Sequence, residues 1–137
     1  MGYNGVSCSN SRDFYRGSIE SLVKFLLKND FTSAPIPPVI LHRLEQDEQN
    51  PFKQLTGYFN PNNFEIHLFL CGRHPKDVLR TLAHELVHVK QFNEGRLAEG
   101  GSKLEDDPVL RGCELEAFTN GNLGFRIWTE QMDEGDF

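Results

Sequence analysis

The sequence predicts an α+β domain in which a small sheet of about three strands, antiparallel or mixed, packs on three helices. Three observations point there. Stretches near the N-terminus, in the middle and at the C-terminus space their apolar residues at helical intervals. Between the first and second of these lie short β-branched and aromatic runs separated by turn-forming clusters. The chain has 137 residues, 38% hydrophobic and 25% charged, the size and balance of one globular domain with its own core.

Residues 1–12 are rich in Gly, Ser and Asn, lack periodicity, and read as a flexible N-terminal arm, which leaves 13–137 as the single domain. From Asp13 to about Lys28, the residues Phe14, Ile19, Leu22, Val23, Leu26 and Leu27 recur at helical spacing, with Ser11 or Asp13 available as cap. Asn29 and Asp30 end the pattern, and the prolines at 35, 37 and 38 fix a connector. Three extended segments follow, Val39–Leu44, Leu55–Phe59 and Phe64–Leu70. The third alternates strictly, so Phe64, Ile66, Leu68 and Leu70 share one face and Glu65, His67, Phe69 and Cys71 the other. The Asn60 to Asn63 turn cluster joins the last two as an antiparallel hairpin.

Pro75 suits the first position of a helix that runs to about Asn93 and is stopped by Gly95. Around this helix Val78, Leu82, Leu86 and Val89 gather on one side. Asp77, Thr81, His84, His88 and Gln91 gather on the other, so an apolar face packs while a polar face lines a cleft. Gly95 to Pro108 is a long loop of the kind that often serves function. A last helix runs from about Pro108 to Met132, weakened in its middle by Gly121 and Gly124.

The formal charge is −6 and no basic stripe is visible, which excludes nucleic acid as the main partner. No apolar run reaches the length of a membrane span, and the first sixteen residues lack the apolar centre of a signal peptide. A cytoplasmic protein follows. Cys8, Cys71 and Cys113 are odd in number and widely spaced, so reduced thiols are expected rather than a disulfide framework or a thiolate metal site.

The middle helix carries His84-Glu85-Leu86-Val87-His88. Residues four apart lie one turn above each other, so two imidazoles can bind one ion while Glu85 stays beside it as general base. The competing reading of a bare His-Glu-x-x-His pattern is two surface histidines. Catalytic zinc takes three protein ligands, and no histidine follows His88, so the third must be a carboxylate on a following helix. Glu114 and Glu116 both qualify.

Here the sequence resembles the gluzincin metallopeptidases, whose zinc-binding glutamate lies on a downstream helix, often as Glu-x-x-Ala. The matching residues are Glu114-Leu115-Glu116-Ala117. Helical geometry favours the same choice, placing Glu114 on a stripe with Leu110, Ala117, Phe118, Gly121, Phe125 and Trp128. Small residues there let two helices approach. Glu116 remains the competitor, since Glu116-Ala117 followed by Asn120 resembles another gluzincin spacing. Phe118 departs from the Asp or Asn of many members, which leaves the partner behind the histidines unassigned, with Asp77 one candidate. Gly57-Tyr58-Phe59, Arg73-His74-Pro75 and Leu79 to Gln91 extend the likeness to small single-domain peptidase-like proteins of phage and bacteria. For a phage-encoded chain the compartment would be the host cytoplasm. The resemblance implies a zincin-like fold whose edge strand, taken as Phe64–Leu70, borders the cleft and can pair with an extended peptide.

The expected activity is therefore hydrolysis of peptide bonds in a peptide or protein substrate, with Zn2+ held by His84, His88 and Glu114 and with Glu85 as base. Tyr58, His67, Arg73 and His74 are unranked candidates for steadying the oxyanion. The alternative is a zinc-binding regulatory or interaction module with little or no turnover. Oligomeric state is left open, and the N-terminal arm is a candidate cover for the site.

Overall fold

The computed structural model describes residues 12–42, 56–96 and 108–134. It is α+β, with three helices and a mixed three-stranded sheet in the order α1 (Arg12–Lys28), β1 (Val39–His42), β2 (Gly57–Asn60), β3 (Glu65–Phe69), α2 (Pro75–Asn93) and α3 (Pro108–Glu134). The N-terminal arm, with its possible covering role, and most of the long loop lie outside the described residues.

The helix ends follow from local chemistry. After α1, Asp30 takes the left-handed conformation at φ 64, with Asp30 N–H donating to Leu27 O and Phe31 N–H to Leu26 O. That pair of bonds satisfies carbonyls the helix would otherwise leave open. Helix α2 closes in the same way through Gly95 at φ 80. It opens on His74, whose Nδ1 accepts from Lys76 N–H at 3.0 Å, with Pro75 behind it. The connector after α1 is stapled to α2: Thr32 Oγ1 donates to Leu86 O at 2.6 Å, and Asn93 Nδ2 donates to Ser33 O and Pro35 O.

Strand β3 is central, antiparallel to β2 and parallel to β1. This corrects the expectation that the third strand is an edge, because β1 takes the side of β3 that the hairpin leaves unpaired. The edge facing the cleft is β2. Alternation places Ile66, Leu68 and Leu70 inward, fully or almost fully buried, together with Phe59 and the partly buried Val39 and Leu41. The outward row stacks Tyr58, His67, His42 and Phe69 across all three strands, ring centroids 4.7 to 5.0 Å apart.

Helix α2 runs through the middle, touching the sheet, α1 and α3. Its Leu82 and Leu86 are completely buried, each worth about 1.5–3 kcal/mol of apolar transfer. The expected division into an apolar and a polar face is incomplete, since Leu79, Ala83, Val87 and Gln91 are buried as well. Helix α3 crosses α2 at Gly121, where a methyl group would sit 2.8 Å from the His84 Cα. Phe125 and Trp128 continue the inward stripe of α3. Phe118, placed on that stripe by its spacing, is 60% exposed.

Cys113 is free and buried, whereas Cys71 is disulfide-bonded. The expectation of three reduced thiols is corrected at Cys71.

Candidate metal centre

One turn of α2 separates His84 from His88, and their rings stand 5.0 Å apart, edge to face. Both turn Nε2 toward the first turns of α3. Glu114 meets them with one carboxylate oxygen each, Oε2 at 3.1 Å from His84 Nε2 and Oε1 at 2.8 Å from His88 Nε2. The ligand atoms of the three residues lie within 4.8 Å of one another, the only such group among the described residues. This nitrogen and oxygen donor set, with Glu114 half open to the cleft, fits a mononuclear zinc ion that keeps one position free. The close approach at Gly121 is what brings α3 near enough for Glu114 to reach.

Glu116 has a different place. It accepts from Gln91 Nε2 at 2.7 Å and pairs with Arg96 Nη1 at 3.0 Å, on the far side of Gln91 from the imidazoles. Gln91 itself is completely buried. Its Oε1 lies 2.8 Å from His88 Nδ1, and its Nε2 also donates to Cys113 O at 2.9 Å. An amide oxygen can only accept, so His88 keeps a proton on Nδ1, which makes Nε2, the nitrogen turned to Glu114, the one that would give up its proton to bind a metal. Gln91 thus fills the role expected of Asp77, which instead pairs with Arg80 at the surface at 2.7 Å. The available signal was position, three residues after His88 on the same face of the helix.

Glu85 points to the other side of the ligand cluster. One carboxylate oxygen accepts the Phe59 N–H of β2 at 3.1 Å. Burial pushes its pKa above the ordinary carboxylate value and the Glu114 charge adds to this, while His88, His84 and the Phe59 N–H pull it back. Hydrogen bonds from His84 and His88 hold Glu114 well below the usual carboxylate range. Burial works to lower the pKa of His88, but hydrogen bonds with Glu114 and Gln91 and the charges of Glu85 and Glu114 outweigh it and hold the group above its ordinary value.

The cluster borders a pocket of about 350 Å3 lined by Thr56, Arg80, Thr81, His84, Glu85, Glu114, Phe118 and Asn122. None of the four expected oxyanion donors reaches it. Tyr58 stacks on His67 on the outer sheet face, and His67 bridges His42 and Glu65. His74 caps α2, and Arg73 ties Thr56 O, Phe69 O, Asp77 O and Thr81 Oγ1 together. Sequence reasoning missed the pocket's own polar groups, Arg80 and Asn122. For Arg80 the signal was its place one turn before His84.

A larger groove of about 760 Å3 lies between α1 and β1. It is lined by Ile19, Val23, Val39 and Leu41 with Arg16, Glu20 and Lys24, and holds none of the clustered ligands. Donor chemistry, not volume, singles out the smaller pocket. No known protein family, curated protein or solved structure matches the chain.

Proposed function

We propose that the chain is a zinc-dependent metallopeptidase of the gluzincin kind, with a zincin-like fold, in which His84, His88 and Glu114 hold the ion and Glu85 is the general base. One observation carries this reading: Glu114 meets both imidazoles at 2.8 and 3.1 Å in a cleft that also presents Glu85. When bound, zinc supplies Lewis acidity toward a carbonyl oxygen and lowers the pKa of water toward about 7.

The protein's own groups supply the rest. The Phe59 N–H fixes one oxygen of Glu85 and leaves the other to take a proton from the attacking water and pass it to the leaving amine. A pKa raised by burial suits a group that must both accept and release a proton. Asn122 lines the same pocket, its amide unpartnered among the described residues, and can donate to a developing oxyanion. Phe69 N–H donates to Thr56 O, which sets the alternation of the ladder, so the Gly57 N–H and C=O and the Phe59 C=O turn outward from the sheet, the Phe59 N–H being held by Glu85. An extended substrate would add there.

The test measures zinc content and cleavage of an unfolded protein together. Glu85→Gln should keep one zinc per chain and lose about a hundredfold or more of the cleavage rate, the usual contribution of a general base. Stoichiometric zinc with no cleavage by the wild type would instead favour an interaction module. A cytoplasmic location belongs to the same proposal, and the Cys71 disulfide, of a kind that persists in oxidising compartments, is the observation against it. Cell fractionation decides between them. No helix among the described residues is long and apolar enough to cross a membrane.

A further inference from the structure

The pocket holding His84, Glu85 and Glu114 adjoins a second cleft of about 360 Å3, lined by Lys76, Arg80, Asn122, Phe125, Arg126 and Thr129. Arg80 and Asn122 are walls of both. Helices α2 and α3 run antiparallel, with His88 against Glu114, His84 against Gly121 and Arg80 over the Phe125 ring. The two cavities therefore lie in line along one seam, leading from the ligand cluster toward the start of α2.

Three of the six residues lining the second cleft are cations and none is a carboxylate, in a chain of net charge −6. Asp77 takes one donor of Arg80 at 2.7 Å, and Glu130 takes the Nε of Arg126 at 3.3 Å. A guanidinium has five donors, so each arginine keeps most of its fork available. Lys76 Nζ has no ion-pair partner among the described residues. Arg80 is also held in place, its guanidinium carbon 5.2 Å from the centroid of Phe125. Surface cations on an acidic protein are ordinary, but here they converge on a concave wall that begins at the metal pocket. A concave wall lined by one sign of charge raises the local concentration of the opposite charge.

We propose that this seam is a subsite for an acidic side chain of the substrate, with Arg80 receiving the carboxylate and Lys76 and Arg126 reinforcing the field beyond it. The inference rests on the peptidase reading above and names its preferred substrates: peptides with Asp or Glu within one or two residues of the scissile bond. The reach is right. Arg80 stands one helical turn before His84, about 6 Å along the axis, and neighbouring residues of an extended peptide are about 3.3–3.6 Å apart. A guanidinium receives a carboxylate through two parallel bonds, which an amide of the same shape cannot reproduce.

The experiment uses the zinc-loaded protein and C-terminally amidated peptides of matched sequence, with Glu, Gln or Lys scanned over three positions on each side of the cleavage point. A parallel set with free C-termini separates a terminal carboxylate from a side chain. Glu should exceed Gln at one position by about ten- to a hundredfold in kcat/KM, an advantage that shrinks with salt. Arg80→Gln should remove most of that advantage, Arg80→Lys should restore part of it, and Arg126→Glu should reduce it, with a cooperative thermal transition and full zinc content retained in each. Binding of the Glu and Gln peptides to zinc-loaded Glu85→Gln supplies a readout without turnover. Cleavage with no acidic preference, with a preference that survives Arg80→Gln, or with one confined to free C-termini overturns the subsite and leaves the peptidase reading standing. Arg80-dependent binding of the acidic peptide without cleavage by the wild type keeps the subsite and overturns the peptidase reading. Neither cleavage nor acid-selective binding overturns both.

Discussion

Gln91 serves three partners with two atoms, and all three bear on the ligand cluster. Its oxygen fixes the tautomer of His88, while its nitrogen grips Cys113 O and Glu116, the residue before Glu114 and the one two after it. A single buried amide thus sets one imidazole and the turn of α3 that carries the carboxylate. Replacement by leucine keeps the volume and removes both functions, leaving His88 Nδ1–H without an acceptor. Zinc affinity of Gln91→Leu, read by competition with a chelator, should fall about 10- to 100-fold, the usual effect of losing such a partner. Unchanged affinity would mean that Glu114 alone fixes His88. The choice between Glu114 and Glu116 turns on the same amide, because Gln91 and Arg96 engage Glu116 on their own side. Spacing put Glu114 on the inward stripe, but no sequence pattern shows that a polar residue will be buried by the arrival of another helix's carbonyl.

At the scale of elements, the site exists because α2 and α3 come into backbone contact. Gly121 permits that, and the same helix offers an internal control. A methyl at Gly121 would lie 2.8 Å from the His84 Cα and 3.0 Å from its nitrogen, whereas one at exposed Gly112 would meet nothing within 4 Å. Alanine gains about 0.8–1.0 kcal/mol over glycine in helix propensity at either position. At Gly121 overpacking against rigid backbone costs about 1–3 kcal/mol and wins. Gly121→Ala should therefore lower stability in chemical denaturation and weaken zinc binding, and Gly112→Ala should raise stability by up to about 1 kcal/mol. Equal effects at the two positions would show that the seam yields. The outline of α2 was legible because Pro75 and Gly95 bracket a periodic run. Strand order was not, because β1 pairs with β3 rather than with its successor β2, and nothing in the spacing marks which strand is central.

For the molecule as a whole, the outer sheet face couples folding to pH. With His67 Nε2–H donating to Glu65 at 3.0 Å, His67 Nδ1 accepts from His42 Nε2–H at 2.8 Å, so the pair holds together only while one ring stays neutral. Burial, and then the neighbouring His67, holds the His42 pKa below its ordinary 6.5. The unfolded chain binds that proton more readily, so this contribution to stability is complete above about pH 6.5 and is lost as pH falls through the folded value. Groups facing the pair are Glu65, Tyr58 and Phe69. The melting temperature of the wild type should drop between about pH 7.5 and 5.5, and His42→Gln should show a smaller drop. Parallel curves for the two proteins would assign the dependence to other groups. The α+β class and the grouping of His84, His88 and Glu114 were readable in the chain because they rest on local periodicity and spacing. The histidine pair, the cationic seam and the hold on Glu85 were not, since each joins residues that only the sheet register or a helix crossing brings together.

Trp128 is the chain's one tryptophan, buried to 5% exposure, and its indole N–H donates to Ser21 Oγ of α1 at 3.0 Å. It lies about two turns beyond Gly121 on α3, away from Glu114 and on the flank that meets α1. Its emission is therefore a built-in optical reporter of whether the far end of α3 is docked, with no second fluorophore of its class to blur the signal. Under the proposed zinc reading, metal removal and helix undocking become separable events in one cuvette: the first is followed by a chelating dye, the second by the colour of a single indole.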